Sequence, residues 1–204
     1  MKKTFAIITA AATIFFGGCT VNELDKDKQV GTAETSIPDE AVQPFKDYFN
    51  GFFSNDGEKI IFSTTPQSYI DEMKKTDKYE QLLTQTTDTV IAYTLQAWEK
   101  SYGEDLSVTY LETSDFSQLE ADKLELAELC YKLSYYDVNA ELEITDGYEV
   151  RYRYRISGSE NSEESEQTCC FVKVENDGWK MISLTADELE QFRGADSLSD
   201  LTES

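Results

Sequence analysis

Few kinds of side chain here can do covalent or proton-transfer chemistry: 4 cysteines, 40 carboxylates and 12 tyrosines, with no histidine at all. Without imidazole there is no Ser-His-Asp or Cys-His nucleophile system, no His-Glu-x-x-His metal site and no histidine proton shuttle. The 10 glycines are scattered, mostly at turns, and none forms a phosphate-cradling loop. No Cys-x-x-Cys spacing occurs among Cys19, Cys130, Cys169 and Cys170. Zinc and thioredoxin-like chemistry are therefore unsupported, and no cofactor or metal is expected. Carboxylate pairs carry no information, because 40 acidic residues produce every spacing by chance. An enzyme built here would have to run on carboxylates, tyrosines or thiols.

Cys19 has the most specific surroundings. Lys2 and Lys3 supply a basic start, Thr4 to Phe16 form a short apolar run, and Gly17-Gly18 place two small residues before the cysteine. This pattern is a secretory signal. It resembles a bacterial lipoprotein signal, which implies a diacylglyceryl thioether on Cys19 and removal of residues 1–18. A helix over Thr4–Gly18 would rise only about 22 Å against about 30 Å of hydrocarbon, too short to span. Phe16-Gly17-Gly18 is not an Ala-x-Ala site, which argues against a plain signal without lipid.

The other thiols admit two readings. Adjacent strand residues point to opposite faces, so Cys169 and Cys170 cannot bond to each other without strain. One of them can meet Cys130 across the core, or all three are small buried apolar groups.

The net charge is −22, and loss of Lys2 and Lys3 with the leader makes the remainder more acidic still. Such a chain repels nucleic acid and anionic headgroups alike. Membrane attachment then falls to acyl chains on Cys19, two or three of which suffice for stable anchoring. The expected address is extracytoplasmic, on the bacterial cell membrane. The length fits one domain, and 40% apolar content can build its core.

The organisation read from composition is a signal over 1–18, a polar tether over 19–35, a folded domain over 36–193 and an acidic tail over 194–204. A flexible tether of that length spans about 20–25 Å. Within the domain, Val42, Phe45, Phe49, Phe52 and Phe53 mark a first helix, with Pro44 in its first turn or at a kink, stopped at Asn55-Asp56-Gly57. A short apolar run, Ile60-Ile61-Phe62, follows, and Gln67 to Lys75 reads as a short helix. Lys78 to Tyr102 reads as a long one, with Tyr79, Leu82, Leu83, Thr86, Val90, Tyr93 and Ala97 on its stripe and its last turns most deeply buried. Gly103 ends it.

Leu106, Val108 and Tyr110 alternate as a strand, and Ser117-x-x-Glu120 forms a capping box for a helix to about Ser134. Its inner face is Leu119, Leu126, Cys130 and Leu133. Strands are then expected at about 138–145, 149–157, 168–175 and 179–185. Their joints are Asp146-Gly147, an acidic loop around Ser159 to Glu166, and Asn176-Asp177-Gly178. Helices first and antiparallel strands last is an α+β pattern.

Arg151, Arg153 and Arg155 share one strand face. A register that sets Ile144 against Val150 places Glu143 by Arg151 and Glu141 by Arg153, so the arginines read as cross-strand ion-pair partners rather than an anion site. The second constellation is aromatic. Trp98, Tyr102, Tyr110, Tyr136, Tyr152, Tyr154 and Trp179 converge if the helices cover one sheet face, either as a pocket with polar tips or as ordinary core.

The element order, the stretch Ala97-Trp98-Glu99-Lys100-Ser101-Tyr102-Gly103-Glu104-Asp105 and the hairpin Asp177-Gly178-Trp179-Lys180 resemble nuclear transport factor 2-like (cystatin-like cone) domains of small Gram-positive lipoproteins. The resemblance covers about residues 39–185. It implies N-terminal helices packed on a curved, cone-shaped antiparallel sheet with a cavity at the open end. It implies a binding domain for a small ligand or an envelope protein. The alternatives are a carboxylate-dependent isomerase or hydrolase, for which no base maps onto a residue here, and a structural module pairing with a second copy. A dimer would need an apolar outer sheet face, with Phe171, Ile182 and Leu184 on one side of the last hairpin and Val172, Val174, Trp179 and Met181 on the other.

Overall fold

Pro38 has no N–H to leave unpaired, and Asp39 and Glu40 favour the positive end of a helix dipole, so the chain enters its first helix directly after them. The computed structural model describes residues 37–195; residues 1–36, on which the expected leader, Cys19 and the expected tether fall, and residues 196–204 lie outside the described residues. Helix α1 (Asp39–Ser54) carries Pro44 in its interior, beyond the first turn, and closes on Asn55 in the left-handed region, φ 52°. Asp56 caps α2 (Gly57–Thr64) by accepting the Lys59 N–H at 3.0 Å, so the run Ile60-Ile61-Phe62 is helical. Next come α3 (Gln67–Lys74) and α4 (Lys78–Gln85), a π-helical stretch (Thr86–Ile91), and α5 (Ala92–Tyr102), ended by Gly103.

The π-helical stretch changes the long helix's burial. The extra residue in a π-turn rotates everything beyond it relative to the stripe read at 100° per residue. Tyr79, Thr86 and Ile91 are the buried positions up to that point, whereas Tyr93 is 67% exposed and α5 buries only Trp98. The last turns are therefore the less buried part, contrary to the sequence expectation.

Four strands follow in the order β1 (Ser107–Gln118), β2 (Ile144–Ser157), β3 (Ser162–Val174) and β4 (Gly178–Ile182), all antiparallel neighbours in a curved, unclosed sheet. Helix α6 (Ala121–Ser134) lies between β1 and β2 in sequence, and a 3₁₀ turn (Glu188–Phe192) follows β4. The architecture is α+β, helices packed on a curved antiparallel sheet.

Several local expectations yield to sheet pairing. The capping box does not form: Ser117 pairs with Glu149 inside β1, and Glu120 precedes α6 without a side-chain cap. Asp146-Gly147 is not a turn. Residues 144–157 run as one strand with an irregularity between Ile144 and Asp146, and residues 138–143 belong to no strand. The strand runs close to its neighbours at Gly147, where a Cβ would meet the movable ends of Leu119 at 2.8 Å and Leu124 at 2.9 Å and the Phe171 carbonyl at 3.2 Å. Of the supposed acidic loop, Ser162 to Glu166 belong to β3. The turn at Asn176-Asp177-Gly178 is as expected, with Asn176 at φ 60° and Gly178 at φ 87°.

Helices cover both faces of the sheet at the β3–β4 end, so the four consecutive residues Cys169 to Val172 are all buried. Cys169 and Phe171 pack in one cluster with Phe45, Phe49 and Phe52 of α1 and Met181. Cys170 and Val172 pack in the other with Tyr69, Ile70 and Met73 of α3, Leu126, Cys130 and Tyr131 of α6, Ile182, Leu189 and Phe192. The register sets Phe171 against Met181 and Cys170 against Ile182. Phe171 thus shares a face with Met181 and Trp179, not with Ile182, and neither side of this hairpin offers the open apolar surface that the dimer alternative invoked.

Candidate functional site

The aromatic residues singled out above come together with one exception. Spacing of three and four residues puts Phe45, Phe49 and Phe52 on one face of α1, and alternation puts Val150, Tyr152, Tyr154 and Ile156 on the facing side of β2. Phe45 stacks on Tyr152 at 4.3 Å between centroids and 11° between planes, and Phe49 meets Tyr154 at 4.8 Å. Trp98 lies against Phe49 at 6.1 Å, Phe52 at 5.5 Å and Phe53 at 5.4 Å. Tyr102 and Tyr110 pack at the margin of this cluster, their hydroxyls donating to Glu163 Oε2 at 2.9 Å and to the Lys46 carbonyl at 3.0 Å. Trp179 joins through Tyr148, 5.8 Å away, with Lys173 Nζ 5.9 Å from its ring centre; its buried indole N–H has no hydrogen-bond partner. Tyr136 is the exception, 68% exposed and outside the cluster.

The phenylalanines of α1, which entered the sequence reading only as a helix face, occupy the space where a ligand was expected. Burial pushes the Tyr152 phenol up to about 12, and burial with the Glu163 hydrogen bond does the same for Tyr102. Tyr110 is raised too, first by burial and then by the Asp47 charge. At neutral pH these groups are protonated hydrogen-bond donors, not bases.

The thiols are likewise quiet. Cys130, Cys169 and Cys170 are buried and unbonded; burial raises all three, Cys130 to about 12. Cys169 and Cys170 belong to opposite cores, in line with strand alternation.

On the other sheet face the arginine stripe divides. The partners expected from 138–145 are replaced by residues of β1 and β3: Arg153 pairs with Glu112, with Glu164 at 3.3 Å and with Glu166 at 3.3 Å, and Arg155 pairs with Glu164. The ion-pair reading is right in kind and wrong in partners, because β2 is flanked by β1 and β3 and not by a strand over 138–145. The Glu112 hydrogen bond holds Arg153 above its ordinary value, and the Arg155 hydrogen bond holds Glu164 below its own.

Arg151 stands elsewhere. Asp115, Arg151 and Thr168 are direct cross-strand partners, and Ser117 and Glu149 form the next row. With Phe116 these residues line a shallow depression of about 80 Å³. Beside it the segment after β4 fixes one wall, where the Ala186 N–H donates to Glu149 Oε1 at 2.7 Å. Sequence reasoning missed this grouping, since it needs the β1–β2–β3 register; the one available signal was the set of alternating polar residues on those stretches. Among the described residues, no group of three or more acidic or thiol side chains is placed to hold a metal ion, and no helix is long and apolar enough to cross a membrane.

No protein-family model, curated protein or solved structure matches the chain.

Proposed function

We propose that this chain is a lipid-anchored protein of the bacterial cell envelope, acylated at Cys19, whose domain binds a ligand or an envelope protein without transforming it. Support for the address comes from the run Lys2 to Cys19 and from an acidity that leaves acyl chains as the means of membrane attachment. The observation that carries the non-catalytic reading is the state of the buried reactive groups. The chain has no histidine, and its core thiols and phenols are pushed to pKa values at which they are neither nucleophiles nor bases at neutral pH. We also place the domain with nuclear transport factor 2-like folds, on the helix-first order, the curved sheet and the Asp177–Lys180 hairpin.

Because α1 fills the aromatic face, recognition falls to the polar half of the opposite face. Cell fractionation with Cys19→Ala in the native host tests the anchoring. The substitution is expected to move the protein from the membrane to the soluble fraction, and a variant that stays with the membrane contradicts it.

A further inference from the structure

β1 and the first half of β3 each have one side that no strand pairs among the described residues, and the two differ. Along β1 the pairing with β2 breaks register between Tyr110 and Glu112 and again between Thr113 and Asp115, irregularities that bend an edge and guard it against addition. β3 pairs with β2 without a break from Lys173 to Ser162, while on its other side β4 pairs only with Cys170 to Val174. In an antiparallel strand both backbone groups of a residue point to one side, and that side alternates along the chain. The Gly158 N–H donates to the Asn161 carbonyl at 2.9 Å, in step with the β2–β3 register, and the Cys170 N–H turns the opposite way, to the Leu184 carbonyl at 2.9 Å. Glu164, Glu166 and Thr168 therefore direct their N–H and C=O groups away from β2, where among the described residues no strand receives them. Ser162, Glu163, Glu164 and Glu166 are exposed.

The side chains at that edge end a pattern. Charge alternates across the sheet, Glu112 on β1, Arg153 on β2 and Glu166 on β3, with Arg155 and Glu164 paired in a neighbouring row. Directly opposed residues on a further strand would stand about 4.5–5.5 Å away, so positive side chains two residues apart continue both rows. We infer that the outer edge of β3 takes an extended segment of another envelope protein as an added antiparallel strand, with basic residues facing Glu166 and Glu164. Backbone bonds to Glu164, Glu166 and Thr168 give the affinity, and the carboxylates select the sign of the partner. A second copy is opposed, since its own edges carry Glu112 and Asp115 or Glu164 and Glu166. Residues 196–204 are opposed too, with Asp196, Asp200 and Glu203 and no basic residue. Lys26 and Lys28 have the right spacing, but Asp25 and Asp27 alternate with them and would meet the side on which the Glu163 carboxylate stands. The inference rests on reading the domain as a binding module, and it names the chemistry of the partner.

The test titrates the detergent-solubilised full chain into a dye-labelled, end-blocked peptide Thr-Lys-Thr-Lys-Thr-Val and follows fluorescence anisotropy. Saturable binding is expected, about tenfold or more tighter than that of the same peptide with glutamate for lysine. Methylating the two lysine amide nitrogens, which face β3 in the docked strand, should also weaken it by about tenfold or more. Methylating the amide of the threonine between them, which faces away, should be tolerated. Glu166→Pro removes one outward donor at a position where an edge strand accepts proline, and should abolish binding. If that variant loses its near-ultraviolet dichroism, Glu166→Gln takes its place, with a smaller loss in the same direction. No saturation, or equal binding of the lysine-methylated peptide, overturns the inference. Binding that emerges only in Lys26→Gln with Lys28→Gln assigns the edge to the chain's own segment, and self-association that the peptide disperses assigns it to a second copy; either result overturns the inference. Attachment through Cys19 is read separately, so an acylated chain silent to the peptide removes this inference and leaves the anchoring intact.

Discussion

The Lys180 ammonium lies 3.1 Å from the Asp177 carboxylate with the two side chains only 7% and 15% exposed, and each also holds a helix end. Lys180 Nζ donates to the Phe62 carbonyl near the close of α2 at 3.0 Å, and Asp177 accepts the N–H of Gln67, the first residue of α3. The hairpin on which the family resemblance rests is thus a clamp on the α2–α3 corner. Tyr131 adds to the same corner through the Thr64 carbonyl at 3.0 Å, and Tyr135 through Thr65 Oγ1 at 2.7 Å. Removing one partner of a buried pair leaves an uncompensated charge, so Lys180→Ala is expected to cost about 3–5 kcal/mol in urea unfolding. The double replacement Lys180→Met with Asp177→Asn should cost less than Lys180→Ala. A single replacement within about 0.5 kcal/mol of the parent would show that the clamp is not structural.

Phe45 fills the aromatic face while Tyr93 looks outward. Phe45→Ala should cost about 3–5 kcal/mol, and Tyr93→Ala should stay within about 0.5 kcal/mol. Comparable losses for the two would mean that α5 buries the stripe read from sequence and that the π-helical stretch does not shift it.

Acid should release the 3₁₀ turn from α6. The Arg193 and Lys123 hydrogen bonds hold the Glu190 carboxyl down at about 2 from an ordinary 4.5, and Arg193 also reaches Asp122 of α6 at 2.8 Å. A carboxylate depressed by folding stabilises above its unfolded pKa and loses that contribution as the pH falls through the folded value. The stability gap between the parent and Glu190→Gln is therefore expected to be constant above about pH 5 and to close between about 4.5 and 2. A gap independent of pH would exclude the pairing.

The three core thiols should be silent in the native state. Burial raises Cys130 to about 12 and also raises Cys169 and Cys170, so a thiol reagent at pH 8 is expected to react with them only after unfolding. Rapid modification of any of the three in the folded chain would contradict their placement.

Much of this architecture is legible in the residues themselves. Helical spacing from Val42 to Phe53 and the stops at Asn55 and Gly103 mark α1 and the end of α5, and Asn176-Asp177-Gly178 marks the last turn. The middle of the sheet is not legible locally. Asp146-Gly147 carries a hairpin signal, yet β2 continues through it because pairing with β1 and β3 outweighs one turn. The partners of the arginines were present as a second period-two pattern, Glu164 and Glu166 facing Arg155 and Arg153, which the run of acidic residues disguised as a loop. The aromatic group was recognisable, but that α1 would fill it depends on which face of the sheet that helix takes, and no spacing encodes this.

The anchoring at Cys19 is the premise of the functional account, and mass spectrometry of the protein extracted from its native host's membranes reads it directly. The account predicts a mature chain beginning at Cys19 with a diacylglyceryl group on its sulfur. A chain still beginning at Met1, or an unmodified Cys19, would contradict it.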